Sequence, residues 1–294
     1  MNTGFEARGS GTGFTLWTRG DLIRVPRSET RIPNPVPISP RNAEDLRVNL
    51  PDVTDPEREC VDLSVVVPVF DELDNIEPLV SRVRSTLDGT DLKWEMVAVD
   101  DGSRDGSDQR LDHIAAAERR LRVLHFTRNN GQSAALDAGF RNARGRLIAI
   151  LDADLQTYPE DLPKLIAVLT DESVDAVVGI RTVRRDSWWK RVTSRIANGT
   201  RNVITREDIV DTGCPIKVFR TDAIRSIPVF DGMHRFLPTL LRMEGATVCQ
   251  VPVRHTSRTA GRSKYGTLDR AVHGLRDALG VRWMQDRRFR WKIR

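Results

Sequence analysis

From Leu63 onward, short apolar runs alternate with stretches whose apolar residues recur every three or four positions. Leu63-Ser-Val-Val-Val-Pro68 predicts a buried strand, and Asp74 caps a helix running to about Leu87. Trp94-Glu-Met-Val-Ala-Val-Asp100 predicts the second strand, followed by a helix to about Arg120. A strand from Leu121 to Phe126 and a helix from Gln132 to Ala143 repeat the pattern, and Leu147 to Leu151 is the fourth strand. A helix from about Pro159 to Leu169 and a strand from Ala176 to Ile180 extend the series. Alternation of this length implies an α/β domain, with a Rossmann-like, mostly parallel sheet, right-handed crossovers and helices on both faces. Ligands of such sheets bind beyond the carboxyl ends of the strands.

Those ends carry the candidate chemistry. The first strand ends in Pro68-Val-Phe70-Asp71-Glu72, the second in Asp100-Asp101-Gly102-Ser103, and the fourth in Asp152-Ala-Asp154-Leu-Gln156. Alternate residues of a strand share a face, so Asp152 and Asp154 are expected to present oxygens to one point, with Gln156 in reach. Two hard oxygen ligands beside open positions suit Mg²⁺ or Mn²⁺ carrying a diphosphate. A strand end running into a solvated turn is the other reading of Asp-x-Asp. Three strands delivering carboxylates to one edge favour the metal, because clustered like charges repel unless a cation joins them.

Residues 1 to about 60 read differently. Gly9, Gly11 and Gly13 lie in a Gly/Ser/Thr run, and Pro26, Pro33, Pro35, Pro37 and Pro40 follow. That proline density denies both helix and central strand, so an extended or disordered arm is expected at 1–60, ahead of a body at 61–266. The three cysteines, Cys60, Cys214 and Cys249, show no metal-ligand spacing and fit free thiols in a reducing cytoplasm. No apolar run approaches the ~18 residues of a membrane span, and the first residues lack the layout of a signal peptide. Of the 294 residues, 30% are charged and the net charge is +5, but its distribution is uneven. Ser257 to Arg294 holds eleven Lys/Arg against three Asp, a local charge of +8. Within the tail at 267–294, Leu268, Val272, Leu275, Leu279 and Trp283 recur at helical intervals among Arg270, Arg276 and Arg282. This predicts a basic amphipathic helix suited to an anionic membrane surface, or to packing on the body or a second subunit.

Several ordered motifs together resemble the family 2 glycosyltransferases of GT-A fold. They are Val65-Val-Val-Pro68-Val-Phe-Asp-Glu72, Val99-Asp-Asp-Gly-Ser103, Asn129-Asn-Gly-Gln132 and Asp152-Ala-Asp154-Leu-Gln156. Within that family the chain is similar to the polyprenyl-phosphate glycosyltransferases, of the dolichol-phosphate mannosyltransferase and undecaprenyl-phosphate formamido-arabinose transferase type. That likeness rests on Arg128-Asn-Asn-Gly-Gln-Ser-Ala-Ala, Arg185-Asp-Ser-Trp188, Asp211-Thr-Gly-Cys214 and Arg258-x-x-Gly-x-Ser-Lys264-Tyr, and spans about Leu63 to Gly266. Those relatives usually continue into C-terminal transmembrane helices, which have no counterpart in this sequence, and few carry a proline-rich arm.

The resemblance implies an inverting, metal-dependent transfer from a UDP- or GDP-sugar to a polyprenyl phosphate, by an enzyme peripheral to the inner face of the membrane. It assigns Pro68, Phe70, Glu72, Asp100 and Asp101 to the nucleoside, and Asp152, Asp154 and Gln156 to the metal and diphosphate. A polyprenyl monophosphate is anionic at neutral pH and attacks without a general base, so the site needs cations instead. Arg181, Arg195, Arg258 and Lys264 are the expected phosphate ligands. His234 to Leu241 reads as a core helix. A soluble acceptor, and a non-catalytic nucleotide-sugar sensor, are the rival readings. Nucleic acid is not expected, since no aromatic–basic module accompanies the tail, and a homo-oligomer is left open.

Overall fold

The computed structural model describes residues 61–181, 199–256 and 267–288. The arm at 1–60, and the expected phosphate ligands Arg195, Arg258 and Lys264, lie outside these described residues.

Seven strands form one sheet: β1 (Leu63–Val69), β2 (Trp94–Asp100), β3 (Leu121–His125), β4 (Leu147–Ile150), β5 (Ala176–Arg181), β6 (Lys217–Arg220) and β7 (Val248–Val253). Their spatial order is β3-β2-β1-β4-β6-β5-β7. All neighbours are parallel except β6, which runs antiparallel to both β4 and β5. The mostly parallel α/β sheet read from the sequence is therefore present, with one reversed strand inserted.

The helices are α1 (Leu73–Leu87), α2 (Ser107–Ala117), α3 (Gln132–Asn142), α4 (Leu162–Val168), α5 (Thr221–Arg225), α6 (Leu237–Met243) and α7 (Thr267–Arg287); residues 199–205 are also helical. They divide the core in two. Val65 and Val67 of β1 and Met96 and Ala98 of β2 pack with Ile76 and Val83 of α1, Leu111 of α2 and Leu165 of α4. Val66, Val97 and Val99 face the other side, against Leu136 of α3, Ile224 of α5, Leu240 of α6 and Ala278 of α7. This is why β1 and β2 read as continuous apolar runs: alternate residues feed opposite cores. Val65, Val66 and Val67 are each fully buried, worth roughly 1.5–3 kcal/mol apiece.

Three expectations change. Helix α1 starts at Leu73 with Glu72 at its N-cap position, so Asp74 lies within the first turn and does not cap it. Strand β4 ends at Ile150, so Asp152 and Asp154 lie in a turn, where Leu155 adopts φ 57°. Turn geometry, not strand alternation, sets their carboxylates. The C-terminal helix forms as read, but its body-facing residues are Ala278 and Val281, both buried, while Leu275, Leu279 and Trp283 stay 47–64% exposed.

Candidate active site

The carboxyl ends of β1, β2, β4 and β5 meet at one edge, and because β6 is reversed its first residue, Lys217, joins them there. Registers fix this alignment: Val69 opposes Asp100, Val66 opposes Ile150, and Ile150 opposes Lys217.

The turns after β1 and β2 are laced together. The Asp71 N–H donates to Ser103 Oγ (3.0 Å), the Arg104 N–H to Asp71 Oδ1 (2.9 Å), and the Glu72 N–H to Ser107 Oγ (3.0 Å). Glu72 precedes α1 and accepts from Asn75 Nδ2 (2.6 Å). Pro68 pairs within β1 opposite Val99, and both it and Phe70 are half-buried beside this turn.

Asp100 and Asp101 are both buried, with different duties. Asp101 accepts from the N–H groups of Asn130 (2.6 Å) and Gly131 (2.8 Å) and from Asn129 Nδ2 (3.0 Å), so it anchors the loop that leads into α3. Burial, with the Asp100 charge beside it, raises its carboxyl despite those donors. Asp100 accepts from the Ser103 N–H (3.1 Å) and lies 3.1 Å from His125 Nδ1, whose Nε2 is 3.0 Å from Asp112. Burial works to raise the Asp100 carboxyl, but the His125 and Ser103 hydrogen bonds outweigh it and hold it below the usual range. Asp100 in turn pushes the His125 imidazole up to about 9 against its burial, with Asp112 adding.

A pH dependence follows. The imidazolium's contribution to stability is complete below the unfolded value near 6.5 and is lost as pH rises through about 9. Asp100's own contribution holds above the ordinary carboxylate range and is lost as pH falls through its depressed value. Thermal melts of His125→Gln should therefore lack an alkaline decline of a few degrees that the wild type shows between pH 6.5 and 9.5. Parallel profiles would remove His125 from this role.

Asp152 is half-buried and accepts from Gln132 Nε2 (3.0 Å), in the first turn of α3. Asp154 is 8% exposed and accepts the Gln156 N–H through Oδ1 (3.1 Å). The Gln156 carbonyl accepts from the Thr256 N–H (2.9 Å), and Thr157 bridges to His255. The chain leaving β7 toward Arg258 thus starts beside the Asp-x-Asp turn. Among the described residues, no group of three or more His, Cys, Asp or Glu is arranged to hold a metal ion. A pair of carboxylates instead suits an ion that takes its other ligands from a diphosphate and water.

Arg181, at the end of β5, is held by Asp211 through two parallel bonds of 2.7 Å, from Nε to Oδ2 and from Nη2 to Oδ1. Its fork is oriented by that carboxylate. Two further cations, absent from the sequence reading, lie beside Asp211. Burial pulls the Arg201 guanidinium down to about 10, with Asp211 partly offsetting it. Lys217 is 3% exposed and donates to the Cys214 carbonyl; burial lowers its ammonium, against the charges of Asp152 and Asp211. Lys217 therefore electrostatically joins the Asp152 side of the edge to the Arg181 side.

The core helix expected at His234–Leu241 is α6 with its preceding turn: Met233, Phe236, Leu237, Leu240 and Leu241 are buried. His234 itself is used polarly. Its Nδ1 lies 2.8 Å from Ser133 Oγ, which also accepts the Gly232 N–H (3.0 Å). Burial, then the charges of Arg235 and Lys217, press the imidazole down to about 3, so it is neutral. Gly232 has φ 94°, and a Cβ there would sit 2.6 Å from Asp277 Oδ2 of α7; Asp277 also pairs with Arg235 Nη1 (3.3 Å).

Residues 64–227 match glycosyl transferase family 2. The chain is 35% identical over 227 residues to dodecaprenyl-phosphate galacturonate synthase of Rhizobium johnstonii, covering 76% of this chain and 67% of that one. It is 36% identical over 209 residues to undecaprenyl-phosphate 4-deoxy-4-formamido-L-arabinose transferase of Edwardsiella ictaluri, covering 70% and 63%. It thus spans about two thirds of these relatives' lengths. In fold it is similar to glucosyl-3-phosphoglycerate synthase from Mycobacterium tuberculosis in complex with Mn²⁺, UDP and phosphoglyceric acid. That structure gives a TM-score of 0.59 at 21% identity, covering 76% of this chain and 78% of that one.

Proposed function

The chain belongs to glycosyl transferase family 2, and on that premise we propose that it moves a sugar from a nucleotide-diphosphate sugar, with UDP or GDP, to a polyprenyl phosphate. The observation that carries this reading is the division of one sheet edge between a carboxylate pair, Asp152 and Asp154, and a cluster of cations, Arg181, Arg201 and Lys217, around Asp211.

Asp152 and Asp154, with Gln156 beside them, would hold Mg²⁺ or Mn²⁺; bound there, the ion supplies positive charge to the leaving diphosphate. The chain's own groups supply the rest. Arg181, fixed by Asp211, and Arg201 would present cations to a second phosphate, with Arg195 assigned to the same task by the resemblance, Arg258 to the donor, and Lys264 to the leaving diphosphate as a point charge. An oxygen of the acceptor phosphate bonds to the anomeric carbon as the bond from that carbon to the diphosphate oxygen breaks, inverting the centre. No proton has to be removed from a phosphate monoester dianion, so no general base is required. Pro68, Phe70, Glu72 and Asp100 border the nucleoside. Asp101 acts from behind, by holding the Asn129–Gly131 loop.

The long hydrophobic acceptor lies in a membrane, and α7 is the proposed means of reaching it. Among the described residues no helix is long and apolar enough to cross a membrane. Leu275, Leu279 and Trp283 are exposed at intervals of four, with Arg276, Arg282 and Arg287 on the same helix. This supports a peripheral, charge-assisted attachment to an anionic membrane surface, each basic residue near it contributing about 1 kcal/mol; the cytoplasmic face is proposed because a nucleotide-sugar donor is met there.

The test is transfer of a radiolabelled sugar, from a panel of UDP- and GDP-sugars with Mn²⁺, to undecaprenyl phosphate in vesicles of rising anionic lipid content. Lipid-linked product is expected, with vesicle binding that rises with anionic lipid and falls with salt. Replacing the exposed Leu275, Leu279 and Trp283 by serine, which leaves the buried Ala278 and Val281 in place, should abolish vesicle binding and spare donor hydrolysis better than transfer. Equal vesicle binding by that variant would take the anchor away from the tail. Loss of a dimer instead would make the apolar stripe a subunit contact.

A further inference from the structure

We propose that His234 is a sugar-selecting residue, donating a hydrogen bond from Nε2–H to a hydroxyl of the sugar carried by the nucleotide donor. This rests on the nucleotide-sugar reading above and adds a residue to it.

The geometry begins at the first turn of α3. Gln132 and Ser133 are consecutive and reach in two directions: Gln132 Nε2 to Asp152, and Ser133 Oγ to His234 Nδ1. His234 is thereby tied to the carboxylate pair through two neighbouring side chains. Ser133 is 3% exposed, so its hydroxyl proton needs an acceptor. Oγ already accepts the Gly232 N–H, and His234 Nδ1 is the acceptor within reach of the proton. The proton on Ser133 therefore goes to Nδ1. A neutral ring accepting at Nδ1 must carry its own hydrogen at Nε2. No described residue takes that hydrogen.

The chemistry of the partner follows from the ring's surroundings. Arg235 and Lys217 both lie close enough to oppose a further positive charge on the ring, and burial opposes it more. An anionic oxygen against Nε2 would draw the ring toward the imidazolium. An uncharged hydroxyl asks only for the fixed N–H. Arg181 and Arg201 are the cations proposed for phosphate, and Lys217 is buried and committed to the Cys214 carbonyl; His234 brings a neutral donor. Its turn is held from outside as well, by Asp277 against Gly232 and Arg235. A fixed donor of this kind discriminates among sugars by where their hydroxyls stand.

Calorimetric titration of the full chain with UDP, GDP, UDP-glucose, UDP-galacturonate and GDP-mannose, each with Mn²⁺, tests the assignment. His234→Ala should bind the preferred conjugate about three- to tenfold more weakly, the worth of one neutral hydrogen bond. Its affinity for the parent nucleoside diphosphate should change less than about twofold. His234→Gln, which keeps an N–H at a similar reach, should recover most of the loss, and Ser133→Ala should weaken the conjugate alone to a smaller degree. Equal losses for conjugate and nucleotide would make His234 a structural residue, and unchanged binding of both would remove it from the site. Either result leaves the nucleotide-sugar reading standing; failure of the wild type to bind any of the five would overturn both.

Discussion

Asp152→Asn and Asp154→Asn are expected to cut sugar transfer by about a hundredfold or more while the chain stays folded. Asparagine is the informative replacement because it keeps the local hydrogen bonds. Its side-chain oxygen can still accept from Gln132 Nε2 at position 152, and from the Gln156 N–H at position 154. What it loses is ligand charge, and a divalent ion shared with a diphosphate depends on that charge. Asp152→Asn should be the more destabilising of the two, because the Asp152 carboxylate also offsets the buried Lys217 ammonium. Turnover measured across a Mn²⁺ titration, beside thermal melts, separates the effects. Wild-type turnover by both variants at limiting metal would take the metal away from this turn.

Gly102→Ala is expected to cost about 3 kcal/mol of stability, the sum of two separate penalties. Gly102 has φ 68°, where an L residue is strained, and its missing Cβ would stand 2.5 Å from the backbone carbonyl carbon of Arg128. Backbone cannot step aside as a flexible side chain can. Gly106 is the internal control. Its φ is 94°, yet its nearest neighbour would be Leu73 Cδ2 at 3.9 Å, so alanine there should cost only about 1 kcal/mol. Urea unfolding of the two variants measures the difference. Equal midpoints would mean that the loop carrying Arg128 yields to the added methyl. Because that loop continues into Asn129–Gly131, which Asp101 holds, the Gly102 variant should also bind nucleotide poorly.

The strands that were legible in the sequence are those buried on both faces. β1 and β2 feed two cores, so their apolar runs are unbroken and nothing else fits them. β6 was not legible: Lys217-Val-Phe-Arg220 is four residues long and charged at both ends, and only the pairing with β4 and β5 reveals it. β7 carries Pro252 and is tolerated as a strand because it lies at the sheet's edge. The carboxylates were legible as residue types at strand ends, but the hydrogen-bond partners that hold each of them were not. Asp101 reads as a nucleotide contact in sequence and is engaged by Asn129, Asn130 and Gly131 in the fold. Partners about 100 residues apart, such as Ser133 and His234, leave no local pattern at all. Lys217 and Arg201 went unread for a related reason: a lone basic residue is ordinarily a surface residue, and only burial beside Asp211 marks these two.

The reversed strand also works as a ruler. Asp152 follows β4 and Arg181 ends β5, and β6 lies between them, so the two halves of the site stand two strand spacings apart. That distance is about 9.5 Å. Partly buried charges are screened far less than exposed ones over such a span, so two phosphates held there still repel and each end must neutralise its own: the ion proposed at Asp152 and Asp154 on one side, Arg181 and Arg201 on the other. Inserting one strand thus sets apart the two sources of positive charge between which the proposed transfer would run.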